Sequence, residues 1–191
     1  LGTLPDDLAI LTDLTTIQLG FNSLSGTVPW RYSLLTNLQT LELTSNFLTG
    51  TIPFQYGLLT NLKTLDLSIN PFLTGVVPSD FGLLTALETL SLYGDVVNGF
   101  AGKLSGQIPT TLGLLSELRI LYLDENRFNG TLPLELGQMI ALVELDIGDN
   151  NVQGRIPSQL GNLVNLKQLL LNNNVLTGKI PTELAQLSQL V

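Results

Sequence analysis

The side chains that could do chemistry in this 191-residue chain are carboxylates and tyrosines, because the sequence has no histidine and no cysteine. That composition excludes a Ser-His-Asp triad, a cysteine nucleophile, a zinc site and any disulfide. The glycines follow a regular period without GKS or GKT, so no phosphate-binding loop is predicted. We therefore predict that the chain is not an enzyme and needs no cofactor.

One pair of carboxylates deserves a separate test. Glu125 and Asp149 occupy the same position in two successive copies of a repeated sequence, so adjacent strands would hold them about 5 Å apart. That distance is near the separation of the two carboxyl groups in a retaining glycosidase. A shallow, open face should offer little burial to raise one carboxyl pKa, which argues against catalysis. The carboxylate oxygens around Glu125 and Asp149 could bind Ca²⁺ weakly, but no EF-hand or similar loop supports a metal site.

The elements that position these side chains come from a unit repeated about seven times. In the copy from Leu35 to Leu58, Leu41 and Leu43 alternate as in a strand. Asn46 follows, and then come Gly50 and a proline. Full units span residues 11–34, 35–58, 59–83, 84–114, 115–138, 139–162 and 163–186, with partial units at 1–10 and 187–191. A period of about 24 residues predicts one solenoid.

The unit L-x-x-L-x-x-L-x-L-x-x-N-x-L-[ST]-G-x-I-P-x-x-L-G-x-L resembles the plant-specific class of leucine-rich repeats. That class occurs in receptor-like kinase ectodomains and polygalacturonase-inhibiting proteins. The resemblance implies an α/β-type repeat solenoid, a right-handed coil with a parallel concave β-sheet and an irregular or 3₁₀ convex side. It also implies an extracellular or cell-surface protein. Family members usually carry cysteine-bearing caps, which this sequence lacks, so we expect a piece of a longer protein.

Three sets of repeated residues are expected to be structural. An asparagine after each strand should bond backbone groups that the turn leaves unpaired; these are Asn22, Asn46, Asn70, Asn126, Asn150 and Asn174. The glycine of each unit permits positive φ or close backbone approach. Aromatic residues replace one leucine in three coils and should stack in the core; these are Tyr32, Tyr56 and Phe81. Trp30 and Phe54 follow prolines and should face solvent, as isolated rings or as a convex apolar strip.

The candidate binding site lies on the concave face, at the variable positions around the two strand leucines. We expect these positions to face solvent. On adjacent coils they form an acidic patch with two tyrosines: Tyr93, Tyr122, Asp124, Glu125, Asp146 and Asp149. Tyrosine supplies contact area with one polar end, and clustered acids select basic partners. The alternative is a solvated acidic face without a ligand.

The largest departure from the repeat is an insertion of about seven residues within 94–103. It holds Val96, Val97 and Phe100 between glycines, next to the acidic patch. As a loop on a rigid scaffold, it is predicted to contact the ligand. The alternative is an insertion that folds onto the adjacent coil, where Phe100 would pack with Phe72.

Charge narrows the choice of partner. The net charge of −8 disfavours nucleic acid and anionic membranes. No run of 18 apolar residues is present, so we expect no membrane insertion by this segment. Asn129-Gly130-Thr131 is an N-glycosylation sequon, which would be used only in a secreted protein.

The leading functional hypothesis is a non-enzymatic module for binding a protein or peptide, one of basic character, as the extracellular recognition part of a larger protein. A first alternative is a structural subunit that contacts its neighbours through Trp30 and Phe54. A second is a glycan-related binder resembling the polygalacturonase inhibitors.

Overall fold

The computed structural model describes residues 2–94 and 104–191 and shows a solenoid of stacked coils. Each coil contributes a strand to one long parallel sheet, then a second short strand, then a 3₁₀ helix. The predicted solenoid with parallel strands and 3₁₀ turns is confirmed. The predictions for Val96, Val97 and Phe100 concern residues outside the described ranges.

The first strand of each coil joins a seven-stranded sheet in which strands that follow one another along the solenoid pair in parallel. The register is uniform, so that Leu41 lies between Ile17 and Leu65. The strands are Thr16–Gln18, Thr40–Glu42, Thr64–Asp66, Thr89–Ser91, Ile120–Tyr122, Glu144–Asp146 and Gln168–Leu170. This is the sheet that the repeat predicts on the concave side.

The second strands form a separate set of parallel sheets around the glycine of each unit. Gly2–Thr3, Leu24–Thr27, Phe47–Thr51 and Phe72–Thr74 make one four-stranded sheet. Ser105–Gln107 pairs with Arg127–Asn129, and Gln153–Gly154 pairs with Val175–Leu176. These glycines have φ between 75° and 90°, a left-handed conformation that disfavours a side chain.

A proline opens each 3₁₀ helix in an extended conformation, for example Pro53 with φ −65° and ψ 124°. Proline fits this place because its fixed φ suits the segment and the missing N–H is not needed there. The eight helices in the described residues are Asp6–Ile10, Trp30–Leu34, Phe54–Leu58, Ser79–Leu83, Thr110–Leu114, Leu134–Gln138, Ser158–Asn162 and Thr182–Gln186. Consecutive helices contact one another.

The core is a continuous column of aliphatic side chains between the two sets of strands and the helices. Leu41, Leu65, Leu90 and Leu121 are fully buried, and each such leucine contributes roughly 1.5–3 kcal/mol relative to exposure. The burial predicted for the three aromatic residues is confirmed, because Tyr32, Tyr56 and Phe81 are also fully buried. The stacked leucines of neighbouring coils therefore hold the solenoid together.

The buried tyrosines keep their polar ends bonded. The Tyr56 hydroxyl donates to the Pro29 carbonyl at 2.9 Å, and the Tyr32 hydroxyl donates to the Pro5 carbonyl at 3.2 Å. Burial raises the pKa of Tyr32 to about 12 and raises that of Tyr56 well above its ordinary value. Both hydroxyls therefore stay protonated and remain donors at neutral pH.

The structural role predicted for the asparagines is confirmed at five of the six positions, whereas Asn22 is exposed and donates only to the Leu19 and Gly20 carbonyls of its own coil. Asn46 accepts the Leu24 N–H at 2.9 Å and donates to the Leu19 carbonyl at 2.9 Å, both in the preceding coil. Asn70, Asn126, Asn150 and Asn174 repeat the pattern. Each of these asparagines thus satisfies backbone groups that a bend would otherwise leave buried and unpaired.

The exposed aromatic residues also follow expectation. Trp30 and Phe54 are 48% and 59% exposed. Phe72 packs against Phe47 with ring centroids 6.5 Å apart, whereas the predicted contact with Phe100 lies outside the described residues. Among residues 2–94 and 104–191, no helix is long and apolar enough to cross a membrane.

Candidate functional site

The seven-stranded sheet brings the predicted tyrosines and carboxylates together. In the sheet register, Tyr122 lies between Ser91 and Asp146. Tyr93 follows two residues after Ser91, and Asp124 follows two residues after Tyr122, so both lie where their strands turn away from the sheet. The parallel pairing therefore places side chains from three coils on one surface.

The two tyrosines contact each other. The rings of Tyr93 and Tyr122 have centroids 6.4 Å apart and an interplanar angle of 73°, an edge-to-face arrangement that aromatic pairs favour. The Tyr122 hydroxyl donates to the Glu144 carboxylate. Burial, followed by this hydrogen bond and the Glu144 charge, raises the pKa of Tyr122 to about 12. The pair forms a partly buried aromatic surface with a fixed polar end.

Glu144 is a site residue that the sequence reasoning missed. It precedes the strand leucine Leu145, whereas the candidate positions were taken after the leucines. It lies two residues before Asp146 on the same strand, and alternate residues of a strand share one face. The two-residue spacing from Asp146 could therefore have identified Glu144 from the sequence.

Asp124 is the most perturbed carboxyl of the patch. Burial raises its pKa from 3.8 to about 7; the nearby Asp146 charge adds to the shift, and a backbone hydrogen bond opposes it. The expectation that this open face offers too little burial to raise a carboxyl pKa is therefore wrong. Neighbouring side chains cover part of Asp124 because the coils are closely stacked. A fraction of this carboxyl is protonated at neutral pH.

The other three acids differ in their surroundings. Burial also raises the pKa of Asp146, while the Gly148 N–H, which donates to Asp146 Oδ1 at 2.8 Å, opposes the shift. Asp149 is exposed and accepts hydrogen bonds from Asn173 at 2.8 Å and Asn172 at 3.2 Å. Glu125 and Asp149 both have left-handed backbone, with φ of 57° and 52°. In the described residues, no group of three or more acidic side chains is arranged to hold a metal ion.

Not every position predicted to face solvent does so. Ser68 and Ser91 are 0% and 4% exposed, and Thr44 is 9% exposed. Ser68 donates to Asp66 at 2.5 Å and shares a hydrogen bond of 2.8 Å with Thr44. Small hydroxyl side chains satisfy one another here and close this part of the sheet surface.

A groove of about 590 Å³ lies at the other end of the same strands. It could not be predicted from the repeat, because its residues come from four full units and from the partial unit 187–191. Its walls carry both signs of charge, from Glu88, Glu117, Arg119 and Lys167, with Val143 between them. This groove extends the candidate face beyond the acidic patch.

The predicted sequon lies on the opposite set of strands. Asn129 ends the strand Arg127–Asn129, and both Asn129 and Thr131 are exposed. The asparagine is therefore accessible from solvent, and its glycosylation stays a prediction.

The fold and the surface of the seven-stranded sheet together define a class of protein. It is a repeat solenoid in which the side chains on one sheet differ from coil to coil. Models of the leucine rich repeat match residues 36–96 and residues 117–139, 141–163 and 165–187. The chain therefore belongs to the leucine-rich repeat family. A comparison with curated proteins finds no match.

Solved structures similar to this chain include plant receptor ectodomains. The leucine-rich repeat ectodomain of the receptor kinase GASSHO1/SCHENGEN3 from Arabidopsis thaliana, in complex with CASPARIAN STRIP INTEGRITY FACTOR 2, matches with a TM-score of 0.92 and 36% identity. The match covers 99% of this chain and 22% of that one. The Arabidopsis HAESA ectodomain, in complex with an IDA peptide hormone, matches with a TM-score of 0.89 and 33% identity, covering 99% of this chain and 31% of that one.

A third similar structure is a plant ice-binding protein. It matches with a TM-score of 0.67 and 26% identity, covering 95% of this chain and 71% of that one. This chain therefore corresponds to less than a third of the length of the two receptor ectodomains, and to most of the ice-binding protein.

Proposed function

We propose that this chain is a non-enzymatic module that binds a peptide or protein, as part of the extracellular region of a larger cell-surface protein. The observation that carries the proposal is the paired Tyr93 and Tyr122, held beside Asp124 and Asp146 on a rigid sheet. The ligand complexes of the two similar receptor ectodomains support it.

The chemistry of the patch supports a partner with both basic and apolar side chains. Tyr122 and Tyr93 offer apolar contact area that is already ordered, which lowers the entropic cost of binding. Asp124, Glu125, Asp146 and Asp149 give the surface a negative potential that attracts a cationic segment and raises its association rate. The partner is therefore a peptide or protein segment with basic and apolar side chains. A glycan is a weaker candidate, because the four carboxylates select charge.

The experiment uses an array of synthetic peptides of equal length that differ in net charge and aromatic content. The peptide of highest affinity is then titrated against Tyr122→Ala and against Asp124→Lys combined with Asp146→Lys. Charge reversal should weaken binding by roughly tenfold or more, since both the attraction and the site geometry are lost. Asp80→Lys, on a 3₁₀ helix, is the matched control and should leave affinity unchanged.

Two results would count against the peptide-binding proposal. One is unchanged affinity in both sheet variants. The other is a loss of binding on replacing Trp30 or Phe54 instead. The second result would favour the structural role, in which the exposed rings contact neighbouring proteins.

A second candidate function is binding to ice. One specific observation favours it: the four-stranded sheet carries threonine and serine side chains in register, with no charged residue in its strands. Thr3, Thr27, Thr51 and Thr74 are exposed, and Ser25 and Thr49 are half-buried. The likeness to the plant ice-binding protein is consistent with it. Measuring ice recrystallisation with the purified chain tests this candidate directly, with bovine serum albumin at equal concentration as the control.

A further inference from the structure

We infer that one outward surface of the four-stranded sheet is the part of the molecule that contacts ice, an inference that rests on the second candidate function above. This surface, called here the hydroxyl face, consists of side chains on four neighbouring strands: Thr3, Ser25, Thr27, Thr49, Thr51 and Thr74. It lies on different strands from the acidic patch, so the two surfaces can be tested separately.

The hydroxyl groups repeat from strand to strand. The register places three pairs side by side: Thr3 with Ser25, Thr27 with Thr49, and Thr51 with Thr74. Neighbouring strands are about 4.8 Å apart, so the backbones of each pair are held at that spacing. A repeated, uncharged set of hydroxyl groups suits a partner whose own surface is periodic, which the surface of ice is and an ordinary peptide is not.

The side chains of the face are held in fixed positions. Thr74 donates its hydroxyl hydrogen to the Gly50 carbonyl at 3.1 Å, and Ser25 donates to the Gly2 carbonyl at 3.4 Å. The Thr27 methyl lies against the backbone of the next coil, where a Cβ added to Gly50 would be 3.2 Å from it. Side chains that are already ordered lose little entropy when they contact a rigid surface.

The hydroxyl face is uncharged, and the coils that follow Phe72–Thr74 do not continue it. The strands Gly2–Thr3, Leu24–Thr27, Phe47–Thr51 and Phe72–Thr74 contain no Asp, Glu, Lys or Arg. In the later coils, Gln107, Arg155 and Lys179 occupy the position after the glycine. Charged groups bind water strongly in their own geometry and would disturb an ordered water layer. The inferred contact is therefore confined to the first four strands.

Two aromatic residues border the face. Phe47 and Phe72 are 39% and 40% exposed, and their ring planes are inclined by 34°. Alternation along the strand puts Phe47 on the same side as Thr49. Because the two rings are tilted, they do not form one plane on which sugar rings could stack. This geometry favours ice over a crystalline polysaccharide as the periodic partner.

The experiment measures thermal hysteresis and ice recrystallisation with the full chain and four variants, of which Tyr122→Ala lies in the acidic patch. Thr51→Lys places a charge in the hydroxyl face and should reduce both activities at least fivefold. Thr131→Lys is the matched control, because Thr131 has the same residue type and the same position in its coil but lies between Gln107 and Arg155. It should keep full activity. Thr51→Val retains a methyl and should lose less activity than Thr51→Lys.

The possible results distinguish ice binding by the chain from the assignment of the contact to the hydroxyl face. No activity in the unmodified chain overturns both the second candidate function and the face. Activity that survives Thr51→Lys but is lost in Thr131→Lys or Tyr122→Ala overturns the face alone. Circular dichroism and the Tm of each variant establish that it is folded, and Thr51→Val gives a second reading should Thr51→Lys be destabilised.

Discussion

The side chain of Asn150 accepts the backbone N–H of Phe128, a residue of the preceding coil, at 2.9 Å. The amide of Asn150 also donates to the carbonyl of Leu123 at 3.0 Å in that coil, and to those of Ile147 and Gly148 in its own. One buried side chain thus replaces the backbone pairing that the bend removes.

Replacing Asn150 with alanine should lower the free energy of unfolding by about 2–4 kcal/mol, because buried donors and acceptors are left unpaired. Urea denaturation monitored by circular dichroism measures the change. Asn151→Ala is the matched control, since Asn151 is the next residue and is exposed; it should change stability by less than about 0.5 kcal/mol. Equal effects of the two substitutions would contradict the structural role of Asn150.

The Tyr56 hydroxyl predicts a smaller and separable effect. Tyr56→Phe keeps the ring but leaves the Pro29 carbonyl without its donor, which should cost about 1 kcal/mol. Tyr56→Leu restores the residue found at this position in later coils, such as Leu112, yet it should cost about 2–4 kcal/mol because the site is shaped for an aromatic ring. Thermal unfolding of both variants tests whether the leucine variant is the less stable of the two. A leucine variant as stable as the phenylalanine variant would show that the ring is not needed.

Ile69 is predicted to be replaceable with a gain in stability. Its φ of 50° is left-handed, a conformation that is unfavourable for a β-branched residue. Ile69→Asn should raise the free energy of unfolding by about 0.5–1 kcal/mol, because asparagine tolerates this conformation. Ile140→Asn is the control; Ile140 is 59% exposed and is not among the residues with positive φ. A loss of stability at position 69 would mean that apolar packing outweighs backbone strain.

Asp124 predicts a dependence of stability on pH. Its folded-state pKa is raised from 3.8 to about 7, so the folded protein binds this proton more tightly than the unfolded chain. The contribution of Asp124 to stability is therefore present below about pH 4 and is lost as the pH rises toward 7. Asp124→Asn should make the urea midpoint less dependent on pH in this interval and raise it at pH 8. Asp7→Asn, the same change at an exposed acid, should do neither.

The same carboxyl predicts how binding should vary with pH if the proposed peptide function is correct. Affinity for a cationic peptide should increase between about pH 6 and pH 8 as Asp124 loses its proton. In Asp124→Asn this increase should be reduced. Isothermal titration at three pH values measures it, and a pH-independent affinity in the unmodified protein would argue against contact with Asp124.

The fold was predictable because leucine, asparagine and glycine recur at fixed positions in each unit. A run such as Leu41 to Gly50 specifies where the strand lies and where it turns, and each following copy confirms the assignment. The core aromatics were predictable for the same reason, because Tyr56 occupies a leucine position.

The details of the candidate site were harder to predict. The left-handed backbone at Phe21, Ser45, Ile69 and the equivalent residues carries no common residue type that would mark it. The burial of Ser68 and the raised pKa of Asp124 depend on side chains from neighbouring coils, which no single unit contains. The second set of strands could not be predicted from the repeat, because each is only two to five residues long and most contain or adjoin a glycine.

The asparagine contacts run in one direction along the solenoid, since five coils are each completed by an amide that follows 22 residues later in the chain. During translation, a coil therefore leaves the ribosome before the side chain that finishes it has been synthesised. The growing end of the nascent polypeptide therefore carries a turn whose backbone groups stay unpaired until the amide of the next turn arrives.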